Sequence, residues 1–179
     1  YLDFFPRESK RSGAWMTEFR GTKIEDGKET RPLVSLVMNF TKPTETAPSL
    51  LTFDELETFL HEFGHALHGM LGEGKYESQT GTNVYRDFVE LPSQLMENWA
   101  TEKEFLDLWA VHYETGEPIP AEIVDRIVAA QNYLAAYGNV RQLSFGMTDM
   151  AWHTLTEPFE GDVEQFEAVS MAPTQVLPV

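Results

Sequence analysis

The stretch Phe59-Leu60-His61-Glu62-Phe63-Gly64-His65-Ala66-Leu67-His68 constrains this chain more than any other. It sits inside a segment whose apolar residues recur with a helical period, opened by Thr52-Phe53-Asp54-Glu55. That opening is a capping box, in which a Thr hydroxyl and a Glu carboxylate satisfy the first free amides of a helix. With His61 at the origin of a helical wheel and about 100° per residue, His65 falls near 40°, one turn along the same face. Leu56, Phe59, Leu60, Phe63 and Leu67 fall at roughly 160–260°. One side of the helix is therefore expected to enter a core while the other presents two imidazoles. Two imidazole nitrogens one turn apart can reach one tetrahedral Zn²⁺. Glu62 lies roughly 60–100° round the wheel, too far to be a natural third ligand but close enough to touch a metal-bound water.

A catalytic zinc needs a third protein ligand and an open position. The longer His-Glu-x-x-His-x-x-Gly-x-x-His pattern would put Gly at position 68 and His at 71. This chain has His68 and Leu71, so that class is excluded. Glu73 and Glu77 fall where the helix is expected to break up. Asp87, Glu90 and Glu97 lie on or before the next helix, within Asp87-Phe88-Val89-Glu90-Leu91-Pro92-Ser93-Gln94-Leu95-Met96-Glu97. Residue chemistry alone does not choose among these three acids. A purely structural zinc site usually fills all four positions with protein ligands, often cysteines, and the chain has none.

The flanking sequence predicts a mainly α chain with a small N-terminal β-sheet. Leu33–Phe40 is rich in β-formers, Gly13–Phe19 is a plausible partner strand, and Asp26-Gly27 is a hairpin turn signal. Asn39-Phe40-Thr41 matches a glycosylation sequon, a three-residue pattern read here as chance. Pro43 and Pro48 mark a linker, which divides a β-rich lobe, 1–50, from a helical zinc-binding lobe, 51–179. Gly69, Gly72 and Gly74 are expected to end the first helix. Asn83 is expected to cap a helix reaching about residue 101, with Pro92 kinking it or marking its true start. Further helices are expected near 103–113, 120–135, 137–156 and 162–171.

With 13 Lys+Arg against 29 Asp+Glu the net charge is −16, which argues against nucleic acid or an anionic membrane as partner. The absence of cysteine excludes a disulfide scaffold, a thiolate metal site and a cysteine nucleophile. No apolar run approaches the roughly 18 residues of a transmembrane helix. A signal-peptide pattern is also missing from the first residues, and a cytoplasmic location is the expectation.

The run Phe59–His68, then Gly81-Thr82-Asn83, then Phe88–Trp99, closely resembles the thimet oligopeptidase family of zinc peptidases. The resemblance continues in Lys10-Arg11-Ser12-Gly13-Ala14-Trp15-Met16, in Ala47-Pro48-Ser49-Leu50-Leu51, in His112–Pro118 and in Arg141-Gln142-Leu143, and so spans essentially the whole chain. It implies a zincin-like core of the gluzincin type holding one Zn²⁺ on His61, His65 and Glu90, with Glu62 as general base. It implies hydrolysis of peptide bonds in short peptides, by release of C-terminal dipeptides or by internal cleavage. Members of that family are much longer, so the resemblance implies that residues 1–179 are a single partial catalytic domain, truncated on both sides. The alternative is a zinc-loaded but inactive fragment that binds peptide or a partner protein.

Other residues have plainer readings. His68 is expected to pack beside the site rather than ligate, and His112 and His153 to be structural. Trp15, Trp99, Trp109 and Trp152 are expected in the core. Glu97 or Asp87 could accept an imidazole N–H, as zinc-bound histidines usually require. Both chain ends are apolar and read as cut edges. Tyr1, Leu2, Phe4, Phe5, Val176, Leu177, Val179 and the apolar face of a late helix are therefore expected to face water, which favours self-association.

Overall fold

The computed structural model describes residues 1–176. It is mainly helical with a small N-terminal sheet. The strands are β1 (Leu2–Asp3), β2 (Trp15–Arg20), β3 (Lys23–Glu25), β4 (Lys28–Thr30) and β5 (Leu33–Val37). The β-formers expected at 33–40 thus supply β5, and 13–19 supply its partner β2. In the three-stranded sheet β5 is central, parallel to β1 and antiparallel to β2, with Met16 opposite Leu36 and Glu18 opposite Val34. Strands β3 and β4 form a hairpin on Asp26-Gly27, both at positive φ (51° and 75°), as a primed turn demands.

Helix α1 (Phe53–Leu71) starts with the expected capping box: Thr52 Oγ1 accepts from the Glu55 amide, and Glu55 Oε2 accepts from the Thr52 amide. It ends at Gly72. Gly69, read from the sequence as a terminator, lies inside the helix and is buried. The reason is steric: a Cβ at Gly69 would stand 2.9 Å from Glu18 Oε2 and 3.3 Å from Met16 Cε, so glycine here lets the helix lie close on β2. Val34, Leu36, Met38, Phe40 and Ala66 form the buried core, with Phe4, Ala14, Met16, Phe59 and Phe63 packed against it.

The single helix expected from Asn83 to 101 is three short pieces: α2 (Arg86–Val89), α3 (Leu91–Glu97) and a 3₁₀ turn at Asn98–Thr101. Pro92 marks the true start of α3, standing in its first turn where no amide is needed. Asn83 caps nothing; its amide donates to the carbonyls of Glu77 and Thr80. Helix α4 covers only Lys103–Leu106 of the expected 103–113, because the chain then folds back through a turn at Gly116 that pairs Val111 with Pro118. The remaining helices are α5 (Ala121–Gln131), α6 (Ala135–His153) and α7 (Val163–Met171).

Contacts divide the chain into two compact units, one of residues 1–124 and one beginning at Asp125. The strands lie within residues 1–50 and the first helix begins at Phe53, and β2 and β5 pack directly on α1. In the second unit Trp152, Phe159 and Phe166 cluster where α6 meets α7, with ring centroids 4.4–5.0 Å apart.

The sequon asparagine spends its side-chain amide on the carbonyls of Arg11 and Gly13, and Phe40 beside it is buried. Tyr1, Leu2 and Phe5 are exposed, as is Val176. Phe4 departs from the expectation of an exposed end: it stacks on Phe40 and meets the edge of Phe59. Backbone pairing of the N-terminal segment with β5 carries it there. Leu177 and Val179 lie outside the described residues.

Candidate metal centre

Helix α1 is gripped from two sides. Strands β2 and β5 lie under it, and α3 crosses it at Gly64. A Cβ on Gly64 would stand 2.5 Å from the Pro92 carbonyl oxygen and 2.6 Å from Ser93 Cα. The backbone of α3 therefore reaches α1 between the two histidines, and Glu90, at the entry to α3, arrives opposite them.

Glu90 Oε2 lies 3.3 Å from His61 Nε2 and 3.2 Å from His65 Nε2. The two imidazole rings are nearly perpendicular, at 84°, with centroids 4.9 Å apart. Among the described residues these three side chains are the group able to offer ligand atoms to one cation, all within 4.8 Å of one another. Four donors placed about 2.0–2.1 Å from a tetrahedral zinc are separated by about 3.3 Å, so the observed spacings suit that ion. The donor chemistry, two nitrogens and one carboxylate oxygen, also suits it.

Of the three acids that the sequence left open, Glu90 faces the imidazoles. Glu97, two helical turns further on, accepts from the other side of His61: Nδ1 to Oε1 is 2.6 Å. That contact leaves His61 Nε2 free to ligate. Asp87 makes neither contact. Ser93 was not singled out by sequence reasoning. It is fully buried, and its hydroxyl donates to Glu90 Oε2 at 2.7 Å. The available signal was position: a serine three residues after an acid, just behind a helix-starting proline.

Glu62 is 7% exposed, between the histidines and β2. Burial raises its carboxyl above the ordinary glutamate range; His61 and a backbone hydrogen bond from Met16 oppose the shift, and Glu90 adds to it. The Ser93 hydrogen bond leads the causes that hold Glu90 below the ordinary range. Burial pulls His65 below the usual imidazole value despite the neighbouring Glu90, which favours the neutral, ligating form. A cavity of about 310 Å³ opens over these groups, lined also by Ala14, Trp15, Met16, Thr82 and Val89.

His68 packs edge-on against Phe88, as expected for a packed residue; its Nδ1 and that of His65 are buried without a hydrogen-bond partner. His112 and His153 are exposed. Each is held locally, His112 by the amides of Glu114 and Thr115 and His153 by the Asp149 carbonyl. The core reading of the tryptophans fails for Trp99 and Trp109. Trp15 lines the cavity over the histidines, while Trp99 and Trp109 are each 46% exposed beside Phe105.

Residues 1–172 match peptidase family M3, and the chain belongs to that family. It is 46% identical over 163 residues to an oligopeptidase A of Escherichia coli, an alignment covering 90% of this chain and 24% of that protein. It is 40% identical over 175 residues to a dipeptidyl carboxypeptidase of Salmonella typhimurium, covering 96% and 25%. A protein of Arabidopsis thaliana named probable cytosolic oligopeptidase A is 40% identical over 186 residues, covering 99% and 26%. The chain thus spans about a quarter of the length of the curated relatives it matches. Peptidase family M3 comprises zinc metallopeptidases, and a triad of this donor chemistry is consistent with that membership. No helix among the described residues is long and apolar enough to cross a membrane.

Proposed function

We propose that this chain is the metal-binding part of a gluzincin-type catalytic domain, a single partial domain of a zinc peptidase that hydrolyses short peptides. The observation that carries the reading is Glu90 Oε2 facing both His61 Nε2 and His65 Nε2. His61, His65 and Glu90 hold one Zn²⁺, and Glu97 fixes the His61 ring through Nδ1. When bound, zinc supplies Lewis-acid polarisation of a carbonyl and lowers the pKa of a water towards about 7. The Glu62 carboxylate, whose pKa burial raises, takes the proton of the attacking water and returns it to the leaving amine. Trp15 and Val89 give the cavity an apolar wall against which a peptide side chain can rest.

Relatives named oligopeptidase A and dipeptidyl carboxypeptidase support short peptides as substrates, cut internally or from the C-terminus. A relative named cytosolic supports a cytoplasmic location. Apolar side chains exposed on both units support self-association.

The test is Glu62→Gln, which keeps size and hydrogen bonding but cannot take a proton. In a full-length parent, zinc content stays near wild type while hydrolysis of a fluorogenic peptide falls by roughly 10²–10⁴. Near-normal turnover would remove Glu62 from the base role. The same assay on the 179-residue chain separates an active piece from a zinc-loaded, inactive one.

A further inference from the structure

The Ser93 hydroxyl makes two contacts of unequal meaning. Oγ lies 3.0 Å from the Glu90 carbonyl and 2.7 Å from Glu90 Oε2. The first is the local back-bond a serine commonly makes to the residue three before it. A hydroxyl carries one proton, and the shorter contact, to a carboxylate, is the charge-assisted one. Oε2 is also the oxygen that faces both imidazoles. Ser93 is 0% exposed, whereas the Glu90 side chain is 49% exposed and has three bonds about which to turn into water. Holding such a side chain in one rotamer is entropically costly, and a rigid, buried donor offsets that cost.

Gly64 puts the donor in place. It stands between His61 and His65 in the sequence, and only its missing side chain admits the Pro92–Ser93 backbone to the surface of α1.

We propose that Ser93 is a positioning residue: its hydroxyl, admitted by Gly64, holds the Glu90 carboxylate towards His61 and His65 and so tightens zinc binding. This rests on the reading of those three side chains as zinc ligands. Partners of metal ligands are commonly worth about 10–100-fold in metal affinity.

Zinc affinity is measured by competition with a chromophoric chelator on the wild-type chain, Ser93→Ala, Ser93→Gly, Glu90→Ala and the double variant Glu90→Ala/Ser93→Ala. Folding is followed by circular dichroism. Ser93→Ala and Ser93→Gly weaken binding by about 10–100-fold. In the Glu90→Ala background Ser93→Ala changes nothing further, because the hydroxyl has no carboxylate to act on. Loading with Co²⁺ adds a signature, a change in the visible absorption bands of Ser93→Ala that reports altered coordination. Equal affinity in wild type and the serine variants overturns the positioning role while leaving the ligand assignment intact. Equal losses in both backgrounds overturn it too, since a merely packed serine behaves that way. Absence of zinc binding by wild type overturns it together with the ligand assignment. Should Ser93→Ala fail to fold, Ser93→Gly carries the same comparison.

Discussion

Helices α1 and α6 are each 19 residues long, yet the candidate metal ligands His61 and His65 stand on α1. Helix α1 opens on a reciprocal side-chain cap; α6 opens after Leu134 at φ 56°, with no side-chain cap. The buried positions of α1 are Leu60, Glu62, Gly64, Ala66 and Gly69. Those of α6 are Ser144 and Thr148, whose hydroxyls bond back to the carbonyls of Arg141 and Ser144. Leu143, Met147 and Met150 of α6 are exposed. The glycines differ in the same sense. Gly64 and Gly69 admit neighbouring chain, whereas a Cβ on Gly138 or Gly146 would touch nothing. A helix becomes a platform for chemistry when small residues let other elements close on it from more than one side, and length alone does not do this.

The sharpest way to break that contrast is to put the same methyl on both helices. Alanine is the better helix former by about 1 kcal/mol, so intrinsic propensity favours it at either site. At Gly64 the new Cβ meets backbone, which cannot swing away. Gly64→Ala is expected to lose about 1–3 kcal/mol net, by the usual cost of overpacking, and to weaken zinc binding as α3 is pushed off. Gly146→Ala is expected to gain about 0.5–1 kcal/mol. Urea unfolding of the two variants checks the opposite signs; a common sign would mean that α3 yields easily.

Thr52→Ala removes the hydroxyl half of the α1 cap and is expected to cost about 1 kcal/mol in the same measurement. No α6 counterpart exists to remove, so a cost near zero would deny the cap its part in the comparison.

Acid titration sharpens it from beneath. Glu18 lies under α1 at Gly69, and burial first, then Glu77, raises its carboxyl above the ordinary glutamate value. Its folded pKa therefore exceeds the unfolded one, and the folded state binds more protons between the two. The destabilisation from the ionised carboxylate is full above the folded pKa and is relieved as pH falls through it towards the unfolded value. Glu18→Gln is expected to flatten that part of the stability profile, read as the difference between the variant and wild-type curves. Parallel curves would show that Glu18 is solvated well enough not to matter.

The smallest effect concerns the exposed face of α6. Leu143→Ser is expected to reduce concentration-dependent association in light scattering and to leave zinc content unchanged. A wild-type chain that stays monomeric at all concentrations would remove self-association from the proposal.

Much of α1 was legible because its signals are local. The capping box needs residues three apart, and the histidine face needs a period that the sequence displays. The Asp26-Gly27 turn was legible for the same reason. In the segment 83–101 Pro92 was legible as the start of α3, but not the separate short α2 before it, nor the contacts of Asn83, whose amide is drawn to Glu77 and Thr80. Gly69 reads as a terminator because a glycine near a helix end and a glycine packed against a strand look alike in sequence. Three acids stood equal until α3 was laid across α1.

The residue types therefore determined by themselves that a capped helix would present His61 and His65 on one face, with Glu62 beside them. A helix's spacing is fixed by its own hydrogen bonds, so this needed no other part of the chain. Only the tertiary structure decided that Glu90 faces the imidazoles and that Glu97 takes the far nitrogen of His61. These contacts join α1 to residues about 30 positions away. Their geometry depends on how closely two backbones approach at Gly64, a distance that no local pattern encodes.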